Sequence, residues 1–324
     1  MKEIFKSKRI CFLGDSITQH GYYIANMRWF VHNQKEKCIF FNRGIGGNRA
    51  DMAEYLFEKE VVSLNPDFCF VSFGCNDLGI WLYDCFKQET DTLLAERNKR
   101  NQRYFDGIKT IVQMCKARGI KPVLVTPCPV NEFLEEKSDI PTLGDNKEKA
   151  ELIGPWFYKK RTFQNINAAL KMYIEKLRAI SAEQDCLFLD IYAPLNEIMR
   201  KEKDVFAEDG IHYTPKGHSF IAKLLLAYLG YEDIPQNFES DEVNDEISRM
   251  EGKQRNFAYV LFNVFHPCNG VFSETQILEK SKEEIENQNN SAWKRGVFAF
   301  FVANYNQRES MEKEVLERIE NYLR

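Results

Sequence analysis

Long apolar runs are missing from this 324-residue sequence. None approaches the length needed to cross a bilayer, so membrane insertion is not expected. The N-terminal MKEIFKSKRI has no apolar segment followed by a small-residue cleavage site, so no secretory leader is expected either. Basic blocks are also missing: 44 Lys and Arg stand against 48 Asp and Glu, for a formal net charge of -4. Without a basic stripe, a nucleic-acid partner is not expected. Nine cysteines are present, but no C-x-x-C pair and no Cys/His cluster with the spacing of a zinc site. An odd, scattered set, several of them inside apolar runs, fits free thiols in a reducing, cytoplasmic compartment. Repeats, low-complexity tracts and a G-x-G-x-x-G fingerprint are absent as well.

What is present alternates. Five short apolar runs, Ile10–Leu13, Cys38–Phe41, Phe68–Phe73, Pro122–Val125 and Leu187–Leu189, are continuous, as in parallel strands covered on both faces. Between them lie helical stripes: Tyr23, Met27, Phe30 and Val31; Phe105, Ile108, Ile111, Val112 and Cys115; Ile166, Leu170, Tyr173, Ile174 and Leu177. Gly119 suits the end of the second. Strand and helix in alternation predict a doubly wound α/β sheet. After the fifth strand, Thr214 is a good N-cap, Pro215 suits the first helical position, and Gly230 can close the helix. Residues 231–324 differ in character. The run FAYVLFNVF fits a strand or a buried helix, SETQ at Ser273–Gln276 reads as a capping box, and further helical stretches follow. An α/β domain at 1–230, the catalytic one if the motifs below carry chemistry, and a mostly helical extension at 231–324 are therefore expected. Its aromatic density requires the extension to dock on the body or on a second subunit, leaving a monomer or homodimer.

In an open parallel sheet, ligands bind outside the carboxyl ends of the strands. Past strand one comes Gly14-Asp15-Ser16, past strand two NRGIGGN (Asn42 to Asn48), past strand three FGCND (Phe73 to Asp77), and past strand five DGIH (Asp209 to His212). Each has a bland explanation on its own. Gly-Asp-Ser caps helices, GIGG is a flexible turn, Asn-Asp makes an Asx turn, and Asp three residues before His forms a local pair. Together on one rim they supply a hydroxyl, a base with its orienter, and oxyanion donors, which is the kit for acyl transfer.

These blocks, GDSIT, NRGIGG, GCND and DGIH, in this order, resemble those of the SGNH hydrolases, also called GDSL esterases and lipases. The resemblance covers about residues 8 to 230. It implies a three-layer α/β/α sandwich with a five-stranded parallel, flavodoxin-like sheet, and hydrolysis of esters or thioesters without a metal or other cofactor. It also implies Ser16 as nucleophile, Gly47 and Asn76 as oxyanion donors, and Asp209 and His212 as partners of Ser16. The chemistry agrees. His212 can take the serine proton while Asp209 holds its tautomer, and the N–H groups of Ser16 and Gly47 with the Asn76 amide can receive the oxyanion. A serine esterase of small or short-acyl substrates such as O-acetylated carbohydrates is the expected function. Lysophospholipase or thioesterase activity and a non-catalytic flavodoxin-like binding module are the alternatives. Cys75 and Cys128 are competing nucleophiles, but both suit a buried structural role better. His20, Trp81, Trp156 and Tyr158 are candidates to line the substrate site. The long segment 127–160 has the length of a lid or binding loop. The expected partner is a small-molecule ester.

Overall fold

The structure, a computed structural model, describes residues 8–83, 90–132, 165–202, 204–239, 241–265, 273–288, 290 and 292–323. Five parallel strands, β1 (Arg9–Gly14), β2 (Ile39–Gly44), β3 (Phe68–Ser72), β4 (Lys121–Val125) and β5 (Leu187–Leu189), form one sheet in the order β2-β1-β3-β4-β5. The helices are α1 (Ser16–His20), α2 (Tyr22–Asn33), α3 (Cys75–Leu78), α4 (Asp91–Ala117), α5 (Ile166–Glu183), α6 (Tyr192–Lys201) and α7 (Pro215–Tyr228). After them come α8 (Glu242–Phe265), α9 (Glu274–Glu286), α10 (Ala292–Asn304) and α11 (Arg308–Tyr322).

The continuous apolar runs divide by parity, because successive strand side chains point to opposite faces. Cys11, Leu13, Phe41, Cys69, Val71 and Leu124 pack with α4 and α5. Ile10, Phe12, Phe40, Phe68, Phe70 and Val123 pack with α2 and α7. These are the two cores of a three-layer sandwich. Chain reversal in the strand order falls between β1 and β3, so the loops that follow these two strands flank the crevice where such sheets bind ligands.

Two boundaries differ from the sequence reading. Strand β2 continues through Asn42 and Arg43 to Gly44, paired with β1 down to the Gly14–Gly44 register, so the first three residues of the glycine-rich block are strand and not loop. Helix α4 begins at Asp91, well before its first apolar stripe, because Thr90 caps it by accepting from the Leu93 N–H. FAYVLFNVF is helical, lying within α8. The capping box at Ser273 and Gln276 is formed.

The C-terminal helices pack on the β2 side of the body. Ile247 of α8, and Val315, Ile319 and Tyr322 of α11, join the core beneath the sheet. Phe257 and Val260 of α8 pack with Val297, Phe298 and Phe301 of α10. Buried ions join the two parts. Arg28 of α2 pairs with Glu251 of α8, and Arg255 of α8 pairs with Glu60 at 2.6 Å. Arg43 of β2 meets Glu312 of α11 at 3.1 Å. No helix among the described residues is long and apolar enough to cross a membrane.

Candidate active site

Ser16 is the first residue of α1, immediately beyond β1. Asp15 caps that helix, its Oδ1 accepting the Ile17 N–H at 3.0 Å. An N-terminal helical position leaves the Ser16 N–H without an intrahelical acceptor. Burial of the Asp15 side chain pushes its pKa up to about 6, against the lowering pull of the Ile17 N–H and His212.

His212 arrives from 196 residues further along the chain. A bridge between Phe206 and Tyr213 closes a small loop, and the Ala207 N–H donates to the His212 carbonyl at 2.8 Å. Within the loop Asp209 Oδ1 accepts the N–H groups of Ile211 and His212, both at 2.9 Å. Its Oδ2 lies 2.5 Å from His212 Nδ1. His212 Nε2 lies 2.8 Å from Ser16 Oγ. Desolvation raises Asp209, but the hydrogen bond and charge of His212 and the two backbone donors outweigh it and hold the carboxyl down to about 2. An ionised carboxylate only accepts, so Nδ1 carries the imidazole proton and Nε2 is left to accept from the serine hydroxyl. Desolvation lowers His212 as well, yet Asp209 outweighs it and the net shift is upward. This offsets the N-terminus of α7, capped by Thr214, which disfavours a cation nearby.

The second and third blocks are tied together. Asn76 of α3 donates from Nδ2 to the Asn48 carbonyl at 3.2 Å, next to Gly47. Asp77 Oδ1 accepts the Ala50 N–H at 2.8 Å. Arg100 of α4 donates to the carbonyls of Asn76 and Asp77 at 3.4 and 3.3 Å, fixing the short helix that carries the amide. Gly47 has φ +78°, which suits glycine, and its N–H has no acceptor among the described residues. At Gly44 any side chain would collide with the backbone of α1: a Cβ there would lie 2.1 Å from the Gln19 nitrogen. That close approach brings the second block against the helix that begins with Ser16.

Several of these supports escaped the sequence reading. Gln19 Oε1 accepts the Gly46 N–H at 2.5 Å, and the Asn42 amide spans from the Gly44 N–H to the Gln19 carbonyl. Glu251, from α8, accepts the Asn42 N–H at 3.3 Å. Tyr259 of the same helix lies against Gly46, where a Cβ would meet its ring at 3.1 Å. No local pattern marks any of them.

His20 ends α1, one turn after Ser16, and its ring centroid is 5.0 Å from that of His212. The residue is exposed, yet its ring leans on His212 and His218; partial desolvation and His212 lower its pKa to about 4. His218, given no role by the sequence, is fully buried and stacked on Tyr23, and neither ring nitrogen has a hydrogen-bond partner among the described residues. Burial lowers it to about 3, so it is a neutral packing element. Burial pushes the thiols of Cys75 and Cys128 well up, which removes the thiolate that a cysteine nucleophile needs. Trp156 and Tyr158 lie outside the described residues, as do most of the segment 127–160 and the side chain of Trp81.

Comparison with known proteins gives the family. Residues 12–220 match the family model of the GDSL-like Lipase/Acylhydrolase family. An acetylxylan esterase of Geobacillus stearothermophilus is 22% identical over 251 residues, 71% of this chain and 97% of that protein. The crystal structure of Axe2, an acetylxylan esterase of the same organism, superposes with a TM-score of 0.52 and 21% identity, over 73% of this chain and all of that one. BT4096, described as a gut microbial diltiazem-metabolizing enzyme, superposes with a TM-score of 0.70 at 16% identity, over 98% of this chain and 95% of its own. The last likeness is one of fold, and it takes in the C-terminal helices. The chain belongs to the GDSL-like lipase/acylhydrolase family and is a carboxylic ester hydrolase.

Proposed function

We propose that the chain is a serine esterase working through an acyl-enzyme, with Ser16, His212 and Asp209 as its triad and small acetyl esters, O-acetylated carbohydrates among them, as its substrates. The observation that carries this reading is the continuous line from Asp209 Oδ2 through His212 to Ser16 Oγ, at 2.5 and 2.8 Å. In the first half-reaction Ser16 Oγ attacks the ester carbonyl and its proton passes to His212 Nε2, while Asp209 stabilises the imidazolium. The N–H groups of Ser16 and Gly47 and the Asn76 amide receive the oxyanion. Collapse expels the alcohol, which takes the proton from His212. Water then attacks the acyl-serine by the same route and leaves as the carboxylic acid. Residues 1–230 hold the chemistry in this reading, and 231–324 support it.

The preference for a small acyl group is supported by the crowding of the second block, where Tyr259 lies against Gly46. The acetylxylan esterase likeness points the same way. A non-catalytic flavodoxin-like binder has no use for the Asp209–His212–Ser16 line. A series of p-nitrophenyl esters of increasing chain length tests the reading: the acetate is expected to give the highest kcat/KM. Rates that climb toward long acyl chains would contradict it.

A further inference from the structure

We infer that a groove beside the catalytic rim, between α2 and α7, binds the sugar chain of an acetylated oligosaccharide; this rests on the ester-hydrolase reading above. The groove measures about 500 Å³, within the range of small-molecule sites, and the segment 236–238 lines it as well. Both helices begin at the carboxyl edge of the sheet, α2 just after His20 and α7 just after His212. A chain leaving Ser16 past the exposed ring of His20 therefore meets Tyr22 first. The Tyr22 ring sits 5.4 Å from His218, lines the groove and is 51% exposed.

The lining chemistry favours a neutral polyol. Its cations are already engaged: Lys216 pairs with Glu202 at 2.9 Å, and Lys223 donates to the Gln236 carbonyl. A phosphate or carboxylate ligand would have to displace these partners. What remains is an aromatic platform at Tyr22 and the Asn237 amide, beside Asn26 and Ser219, where the Asn26 amide donates to the Ser219 hydroxyl at 3.3 Å and that hydroxyl donates to the Pro215 carbonyl, a neutral pair that a sugar hydroxyl can join without displacing a charge. Aromatic faces stack on the apolar faces of pyranose rings, and amides and hydroxyls both donate to and accept from sugar hydroxyls. The ester group would then lie at Ser16 while the unreacted part of the chain is held here, so that the groove acts mainly through substrate binding.

The test compares wild type with Tyr22→Ala and Tyr22→Phe on p-nitrophenyl acetate and on O-acetylated xylo- and manno-oligosaccharides of increasing length. Tyr22→Ala is expected to lower kcat/KM on the longer oligosaccharides at least roughly fivefold more than on p-nitrophenyl acetate, mainly through KM. Tyr22→Phe, which keeps the ring face, is expected to restore it. The same oligosaccharides are titrated calorimetrically into Ser16→Ala, which binds without turnover, and into Ser16→Ala/Tyr22→Ala, where weaker binding is expected. Equal losses on both substrates, or no oligosaccharide binding by Ser16→Ala, would overturn the groove. Wild type that hydrolyses p-nitrophenyl acetate but neither binds nor prefers any oligosaccharide loses the groove alone. Wild type that hydrolyses no ester loses the esterase reading, and the calorimetry still decides the groove.

Discussion

The polar side chains of this protein fall into two groups that behave in opposite ways. At the carboxyl rim of the sheet, Ser16, Asp209 and His212 are partly open to solvent, held by short-range turns and caps, and aimed at one another. At the contact between body and C-terminal helices, Arg28, Glu60, Glu251 and Arg255 are almost wholly buried and paired across long stretches of chain. A buried ion pair gives little net stability against an apolar pair, but breaking one member is costly. In the proposed reading the rim holds the reaction, and the contact fixes where the rim sits. They meet at Asn42, whose N–H is held by Glu251 and whose side chain braces Gly44 and Gln19.

The largest test of that division is to remove the helices. A chain ending at Gly230 uncovers core contacts of Ile247, Val315, Ile319 and Tyr322, leaves Arg28 without Glu251 and strips Arg255 from Glu60. It is expected to aggregate or to lose its cooperative melting transition. A truncated protein that stays soluble, with unchanged melting temperature and ester preference, would show the helices to be merely appended.

Within the rim, Asp209→Asn is expected to lower kcat/KM roughly 10²–10⁴-fold with the fold intact. The pH profile gives the sign. Only neutral His212 accepts the serine proton, and Asp209 raises its pKa, so wild-type activity emerges as pH rises past a midpoint above the usual 6.5 of histidine. Asp209→Asn removes that support and moves the acid limb to lower pH while the plateau falls. An unmoved limb would assign the titration to another group.

Asn76→Ala is expected to lower kcat by about 10²–10³ with a small change in KM, since its amide acts on charge that develops in the transition state. An effect confined to KM would make Asn76 a ground-state binding residue.

How much of this could be read from the residues follows the same division. Parallel strands are continuous apolar runs that stop at polar turns, so β1 to β5 were visible, and with them the Ser16 and Asn76 positions. Asp209 and His212, three apart, form a pair by local geometry alone. The ties that were not legible join distant residues: Gln19 to Gly46 and Ala50 to Asp77 across 27 positions each, and Asn42 to Glu251 across 209. Such a bond leaves no period and no motif. A glutamate on α8 looks like any other charged helix residue until the fold brings Arg28 to it. The strand character of Asn42 to Gly44 was hidden for a related reason, because polar residues there are paired by neighbouring elements and not by their own turn.

A smaller test lies at the contact itself. Glu251→Ala leaves the Arg28 guanidinium buried and unpaired and is expected to cost about 3–5 kcal/mol, read from denaturant unfolding. Replacing both partners with apolar residues, Arg28→Met with Glu251→Leu, is expected to recover most of that stability. If the contact positions the rim, the recovered protein still shows a reduced kcat, because Asn42 has lost its acceptor. Full activity in the double variant would confine these charges to folding.

The most direct measurement of the central claim is covalent. A fluorophosphonate that captures activated serines, followed by peptide mapping, is expected to modify Ser16, with labelling abolished in Ser16→Ala and slowed in step with hydrolysis as His212 is protonated. Labelling at another serine, or full esterase activity in Ser16→Ala, would contradict it.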